Sequence, residues 1–211
     1  MDIQLIDTGF FHADGGAMFG AIPKTAWSRR YPSDKQNGCI LAMRSMLVRD
    51  GNGKIVLVDN GAGNKHLKQL SYYNFFDLVD LKEELRRRDV ACEDVTDVIL
   101  THLHFDHCGY TTQKEEQPGE KSLFKMAFPN AIHWVGRAQW ENFLHPNALE
   151  ADSYFIENMQ AVYDSGKLRL IENDTNLCPG INLRLFDGHT PGQIAPYITT
   201  PERTYVFAGD V

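Results

Sequence analysis

No apolar run in this chain approaches the roughly 18 to 20 residues a membrane helix requires, so no spanning segment and no membrane partner are expected. Positive charge is also short. Lys and Arg number 21 against 28 Asp and Glu, for a net charge of −7, the wrong sign for gripping a phosphate backbone. The one basic cluster, Arg86-Arg87-Arg88, ends a helix-like segment whose C-terminal dipole accounts for it, so nucleic acid is not expected as a partner. Cysteine is sparse: Cys39, Cys92, Cys108 and Cys178 are widely spread with no C-x-x-C pair. They read as structural thiols in a reducing compartment. Met1-Asp2-Ile3-Gln4-Leu5 offers no basic segment ahead of an apolar one, so no secretory leader is read and the cytoplasm is the expected location. Repeats, low-complexity tracts and linkers are missing too.

What is present suits one globular domain spanning residues 1–211, with 43% hydrophobic residues to fill its core. Ile3 to Thr8 reads as a strand closed by Gly9. The loop from Phe10 to Gly20 is rich in glycine and aromatics and belongs at the rim of a pocket, with His12 in it. Residues 21 to 38 are irregular around Pro23, Pro32 and Asn37-Gly38. Cys39 to Val48 and Lys54 to Val58 flank Asp50-Gly51-Asn52-Gly53, a hairpin signal. Asn64 to Leu70 reads as a short helix, Tyr72 to Phe76 as an aromatic patch in the core, and Asp77 to Arg88 as a helix carrying Leu78, Leu81 and Leu85. A strand then follows, giving a β-α-β order. Tyr110 to Lys121, with Pro118-Gly119, is a polar connection. Further strands are expected at Ala131 to Val135, Leu168 to Ile171, Ile181 to Phe186, Ile194 to Thr199 and Thr204 to Ala208. Helices are expected at Arg137 to Leu144 and Tyr154 to Tyr163, with Trp134, Trp140 and Phe143 in the core.

The chemistry concentrates in Thr101-His102-Leu103-His104-Phe105-Asp106-His107, directly after the apolar run Val98-Ile99-Leu100. In an extended chain residues two apart point the same way, so His102 and His104 can converge on one ion. Asp106 and His107 diverge until the loop curls, and can then serve a second ion. Imidazole and carboxylate suit zinc, iron, manganese or nickel alike. Three more residues share this placement at strand ends: Asp59, aimed to orient a ligand His, His189 on a Gly/Pro turn, and Asp210. His66, His133 and His145 carry no ligand spacing, and Cys108 is explained by a small buried thiol.

T-H-L-H-F-D-H at 101 to 107, G-H-T-P-G at 188 to 192, L-V-D-N-G at 57 to 61 and A-G-D at 208 to 210 together resemble the metallo-β-lactamase superfamily of metal-dependent hydrolases, in its lactonase and esterase branch. The resemblance implies an α/β (α+β) fold, a four-layer αβ/βα sandwich of two mixed sheets with helices outside. It assigns His102, His104 and His189 to one divalent ion, Asp106 and His107 to a second, and Asp210 to both. Zinc is the first expectation, with iron, manganese, nickel or cobalt compatible. Two departures stand out. Gln193 replaces the final His of the G-H-T-P-G-H form, a position that is not a usual ligand. The family also supplies a further His after the bridging Asp, whereas one residue follows Asp210, so the chain is expected to be truncated at its C-terminus.

The activity implied is a hydrolase using a metal-bridged hydroxide on a small-molecule ester or lactone, with Asp106 carrying the proton to the leaving group. The apolar Phe10–Phe19 rim favours lactones, and a homodimer is compatible. Two competing readings remain: a mononuclear iron enzyme of the same fold that oxidises sulfur compounds, and a catalytically silent scaffold.

Overall fold

Two long alternating strands open the chain, β1 (Asp2–Asp14) and β2 (Gly38–Arg49), paired antiparallel with Ile6 opposite Ser45. In the computed structural model, which describes residues 1–115 and 123–210, short helices α1 (Gly15–Phe19) and α2 (Lys24–Trp27) lie between them. The expected hairpin then delivers β3 (Ile55–Val58), antiparallel to β2. After it come α3 (Leu81–Arg86), β4 (Asp97–Ile99), α4 (Phe105–Cys108), β5 (Thr112–Glu115), β6 (Leu123–Met126), β7 (Ile132–Gly136), α5 (Arg137–Leu144), α6 (Gln160–Asp164) and β8 (Leu168–Ile171). Four strands follow: β9 (Thr175–Cys178), β10 (Ile181–Phe186), β11 (Gln193–Thr199) and β12 (Thr204–Val206).

One sheet runs β1-β2-β3-β4-β7-β8, antiparallel at its first two pairings and parallel from β3 onward; a second, fully antiparallel, runs β12-β11-β10-β9. Parallel strands need both faces covered. One face of the larger sheet packs Leu57, Val98 and Val135 against Leu81 and Leu85 of α3, Trp140 and Phe143 of α5 and Val162 of α6. The other packs Val48, Val56, Val58 and Ile99 against Ile181, Leu183, Ile194 and Ile198 of the second sheet. The opposite side of the second sheet is exposed at Asn182 and Arg184. The described residues thus supply three layers of the mixed α/β metallo-β-lactamase sandwich, and none of their helices is long and apolar enough to cross a membrane.

Several expected boundaries move. β1 does not stop at Gly9 but runs on to Asp14, because a register shift between Asp7 and Gly9 absorbs the glycine as a bulge and Phe10 pairs with Phe76. The Asp14 carboxylate accepts from Gly16 N and Ala17 N and caps α1. The helix expected from Asp77 begins only at Leu81, since Asp77 is left-handed (φ 48°) and Asp80 provides the cap. Asn64 to Leu70 forms turns instead of a helix. The helix expected at Tyr154 to Tyr163 begins only at Gln160 and runs to Asp164, Tyr154 being extended (φ −111°, ψ 134°). The described part of the Tyr110–Lys121 connection includes strand β5, paired with β6; Pro118-Gly119 lies outside the described residues. Strands β6 and β9 lie where the sequence pattern predicts none.

Buried Asp97 ties the parallel strands: its carboxylate accepts from Lys54 Nζ (2.7 Å), Thr96 Oγ1 (2.7 Å) and Trp134 Nε1 (2.9 Å). Asp97→Ala removes three hydrogen bonds at once and strips Trp134 Nε1 of its acceptor, and should cost about 3 kcal/mol in urea unfolding. Lys54→Met, removing a partly exposed partner, should cost under about 1 kcal/mol. Equal losses in the two variants would contradict this ranking.

Candidate metal centre

Strands β3, β4 and β7 run parallel, so their C-terminal ends open at one edge. Asp59 follows β3, and Leu100 carries the chain from β4 into the ligand loop. There His104 (φ −65°, ψ 151°) stands at the N-cap of α4. The turn of α4 presents Asp106 and His107 beside each other. Phe105 anchors it, buried against Phe11, Tyr73 and Phe75 with ring centroids 5.0 to 6.3 Å away. Of the expected core patch at Tyr72 to Phe76, Tyr73 and Phe75 are partly buried against this cluster, whereas Tyr72 is exposed.

His189 arrives on the turn between β10 and β11, closed by Gly192 N donating to Asp187 Oδ1 (2.8 Å). This turn lies so close to the start of α5 that a Cβ on Gly136 would come within 2.0 Å of the Gly192 carbonyl oxygen. Ile194 N donates to the Thr101 carbonyl (2.8 Å), seating β11 on the ligand loop. Asp210 follows Gly209, whose φ of +60° and approach to Thr101 (2.9 Å from an added Cβ to Oγ1) leave no room for a side chain.

The result is a tight cluster. His102 Nε2 lies 3.1 Å from His104 Nδ1, which lies 3.0 Å from His189 Nε2. His102 Nδ1 faces Thr101 Oγ1 at 3.1 Å, and that hydroxyl already donates to Asp59 Oδ2 (2.7 Å). The His102 proton therefore sits on Nδ1 and its Nε2 lone pair points into the cluster. Ligand atoms around a tetrahedral zinc, at about 2.0 to 2.1 Å each, would stand about 3.3 Å apart. The donor set and its spacing fit a divalent ion.

A second group is formed by His102, His107 and Asp210, whose ligand atoms lie within 4.8 Å of one another. His107 Nε2 is 3.4 Å from Asp106 Oδ2 and 3.4 Å from Asp210 Oδ1, while Asp210 Oδ2 is 3.7 Å from His189 Nε2. Asp210 thus reaches both groups, and Asp106 stands beside the second. Two carboxylates around one ring nitrogen demand a cation between them, a proton or a metal.

Charge follows from burial. Desolvation holds His102 far below the usual imidazole range and His104 down to about 4, keeping both neutral as metal ligands must be. His107 moves the other way: burial opposes its charge, but Asp106 and Asp59 outweigh burial and raise it well above normal. Asp59, wholly buried, accepts from Thr101 N (2.7 Å), Thr101 Oγ1 and His107 Nδ1 (2.7 Å), so it orients the His107 ring as expected from the sequence.

Asp106, His107 and Asp210 line a groove of about 940 Å³ whose walls include Phe10, Phe11, His12, Ile40 and Met43. The Phe10 segment does sit at a pocket rim. His66, His133 and His145 belong to neither ligand group, and Cys108 is a buried thiol donating to Leu103 O. Gln193 is fully buried, and its amide has no hydrogen-bond partner among the described residues. Gln139 and Tyr154, the latter packed on His104, carry no site signal in the sequence, where both fall in expected helices; Thr190 lies inside the G-H-T-P-G motif.

Asp59→Asn keeps the shape but gives His107 Nδ1 a weaker acceptor. Metal affinity, measured by chelator competition, should fall roughly 10- to 100-fold with the fold retained. An unchanged dissociation constant would reduce Asp59 to a turn residue.

The sequence profile of the metallo-beta-lactamase superfamily matches residues 44–110. An N-acyl homoserine lactonase of Bacillus thuringiensis is 28% identical over 118 residues, 56% of this chain and 38% of its own length, so the match spans less than half of that relative. Among solved structures, a probable metal-dependent hydrolase from Staphylococcus aureus superposes with a TM-score of 0.87 at 30% identity, covering 99% of this chain and 72% of that one. A dizinc quorum-quenching lactonase in complex with a product shares the fold, with a TM-score of 0.70 at 20% identity over 98% of this chain and 70% of that one. With this 30% identity over nearly the whole described fold, and with its histidines and acids gathered at one sheet edge, the chain belongs to the metallo-β-lactamase superfamily.

Proposed function

We propose that this chain is a metal-dependent hydrolase acting on a small ester or lactone. The observation that carries the reading is the convergence of His102 Nε2, His104 Nδ1 and His189 Nε2 at 3.0 to 3.1 Å, beside the His107–Asp210 pair, which itself lines a partly apolar groove. His102, His104 and His189 would hold one divalent ion, zinc first among the candidates; Asp106 and His107 would hold a second, with Asp210 between the two. When bound, such a pair supplies hydroxide at neutral pH and polarises a carbonyl.

The protein's own groups do the rest. Asp59 and Thr101 fix the rings of His107 and His102, so that little reorganisation accompanies reaction. Asp106, with one oxygen turned to His107, is placed to take a proton and pass it to the leaving alkoxide. Phe10, Ile40 and Met43 give an acyl chain an apolar wall. An N-acyl homoserine lactone, the substrate in the names of the Bacillus relatives, is the first compound to try.

Four convergent imidazoles favour two ions over the two-His, one-Asp mononuclear iron site, and elemental analysis separates these. His102→Ala and His189→Ala should each remove most bound metal and activity while circular dichroism stays native, since both residues lie on loops above the core. Near-normal turnover with metal still bound in either variant would sink the dinuclear reading.

On a panel of lactones, aryl esters, β-lactams and phosphotriesters, the metal-loaded protein should turn over a lactone fastest. Asp106→Asn should lower kcat on that lactone by about 10²-fold or more, with the ion at His102, His104 and His189 retained. A loaded protein inert to every lactone and ester would overturn the proposed substrate class.

A further inference from the structure

One amide links the turn that carries His189 to the tyrosine whose ring packs beside His104. Gln139, fully buried on α5, accepts at Oε1 from the Thr190 hydroxyl and donates from Nε2 to Tyr154 Oη at 3.1 Å. Thr190 is the neighbour of His189 and is itself fully buried. Tyr154 lays its ring beside His104, centroid to centroid 5.0 Å. His104 and His189 are 85 residues apart in sequence yet meet at 3.0 Å.

The chemistry of the surrounding groups leaves this amide one orientation. Tyr154 Oη lies 3.0 Å from Glu150 Oε2, a carboxylate that only accepts, so the phenol proton goes there. Its two lone pairs then accept from Asn142 Nδ2 (2.9 Å) and Gln139 Nε2 (3.1 Å). A reversed Gln139 would turn its carbonyl oxygen onto an oxygen with no proton left to give. Glu150 is held in turn by Asn142 Nδ2 (2.6 Å) and Asn147 Nδ2 (3.0 Å). A directed chain therefore runs from the Thr190 hydroxyl through Gln139 and Tyr154 to Glu150.

We infer that Gln139 is a positioning residue for the metal centre, setting the separation of His104 and His189 by tying the His189 turn to the tyrosine packed on His104. This rests on the metal-centre reading above. The relay touches no ligating atom; it acts by restricting how far the two loops part. Groups that hydrogen-bond a metal ligand directly change metal affinity about 10- to 100-fold, and this tie acts one residue further out, through Thr190 and Tyr154. A Glu at 139 keeps the acceptor for Thr190 but puts a second acceptor against Tyr154 Oη, so size alone cannot rescue the link.

The test measures zinc dissociation constants by chelator competition, with the absorption bands of the cobalt form as a second readout and urea unfolding of the metal-free protein as a control. Gln139→Ala, Gln139→Glu and Thr190→Val should each weaken the tightest ion about 10- to 100-fold and shift the cobalt bands. The double variant Gln139→Ala with Thr190→Val should be no weaker than the worse single, since both cut one linkage. Thr190→Val nearly conserves volume and keeps the test alive if a Gln139 variant fails to fold. Unchanged affinity and cobalt spectra in folded variants, or losses that simply add, would overturn the inference while leaving the metal centre standing. A parent protein that binds no zinc would overturn both.

Discussion

Burying the carboxylate of Asp59 is costly, and the structure offsets that cost with three donors: the backbone and hydroxyl of Thr101 and the ring of His107. Because those donors lie at both ends of the ligand loop, satisfying one anion fixes the loop's span. The left-handed backbone of Asp59 (φ 51°) turns its side chain back under the loop from the end of β3. Thr101 then serves two further neighbours, since its carbonyl accepts from Ile194 and its side chain abuts Gly209. The His189 and Asp210 turns are both referenced to a residue that Asp59 holds.

Periodicity and strand-end placement made much of this legible. His102, His104, Asp106 and His107 stand out because ligand-capable side chains at that density follow a β-branched run, and the structure places them at the expected edge. His189 and Asp210 were marked by the same strand-end logic and do join the cluster. Asp59 was readable too, as an acid leaving a strand into glycine. The expected edges of α5 and β10 coincide with those observed.

What escaped was set by contacts between distant segments. Gly9 reads as a stop, yet pairing with β2 resumes at Gly9 opposite Met43 and carries β1 five residues further, to Asp14 opposite Gly38. Leu78, Leu81 and Leu85 have helical spacing, but the Phe10–Phe76 bridge and the left-handed Asp77 delay the helix until the Asp80 cap. Tyr154 looks like a helix start, while its hydroxyl is committed to Gln139, Asn142 and Glu150. In each case a tertiary hydrogen bond outweighed local propensity.

The parallel order of β3, β4 and β7 has a kinetic consequence. Asp59, His102 and His107 come from neighbouring strands of one β-α-β unit, whereas His189 and Asp210 come from the second sheet, which meets the first through Val48, Val58, Ile181 and Ile198. Loop-closure entropy makes such distant contacts late events in folding. On the proposed reading, the full set of ligands is therefore absent until the two sheets dock, and an ion arriving earlier would find only the half formed by the first unit. Metal uptake would then report on inter-sheet docking, and chelator-resistant metal would mark molecules that have completed it.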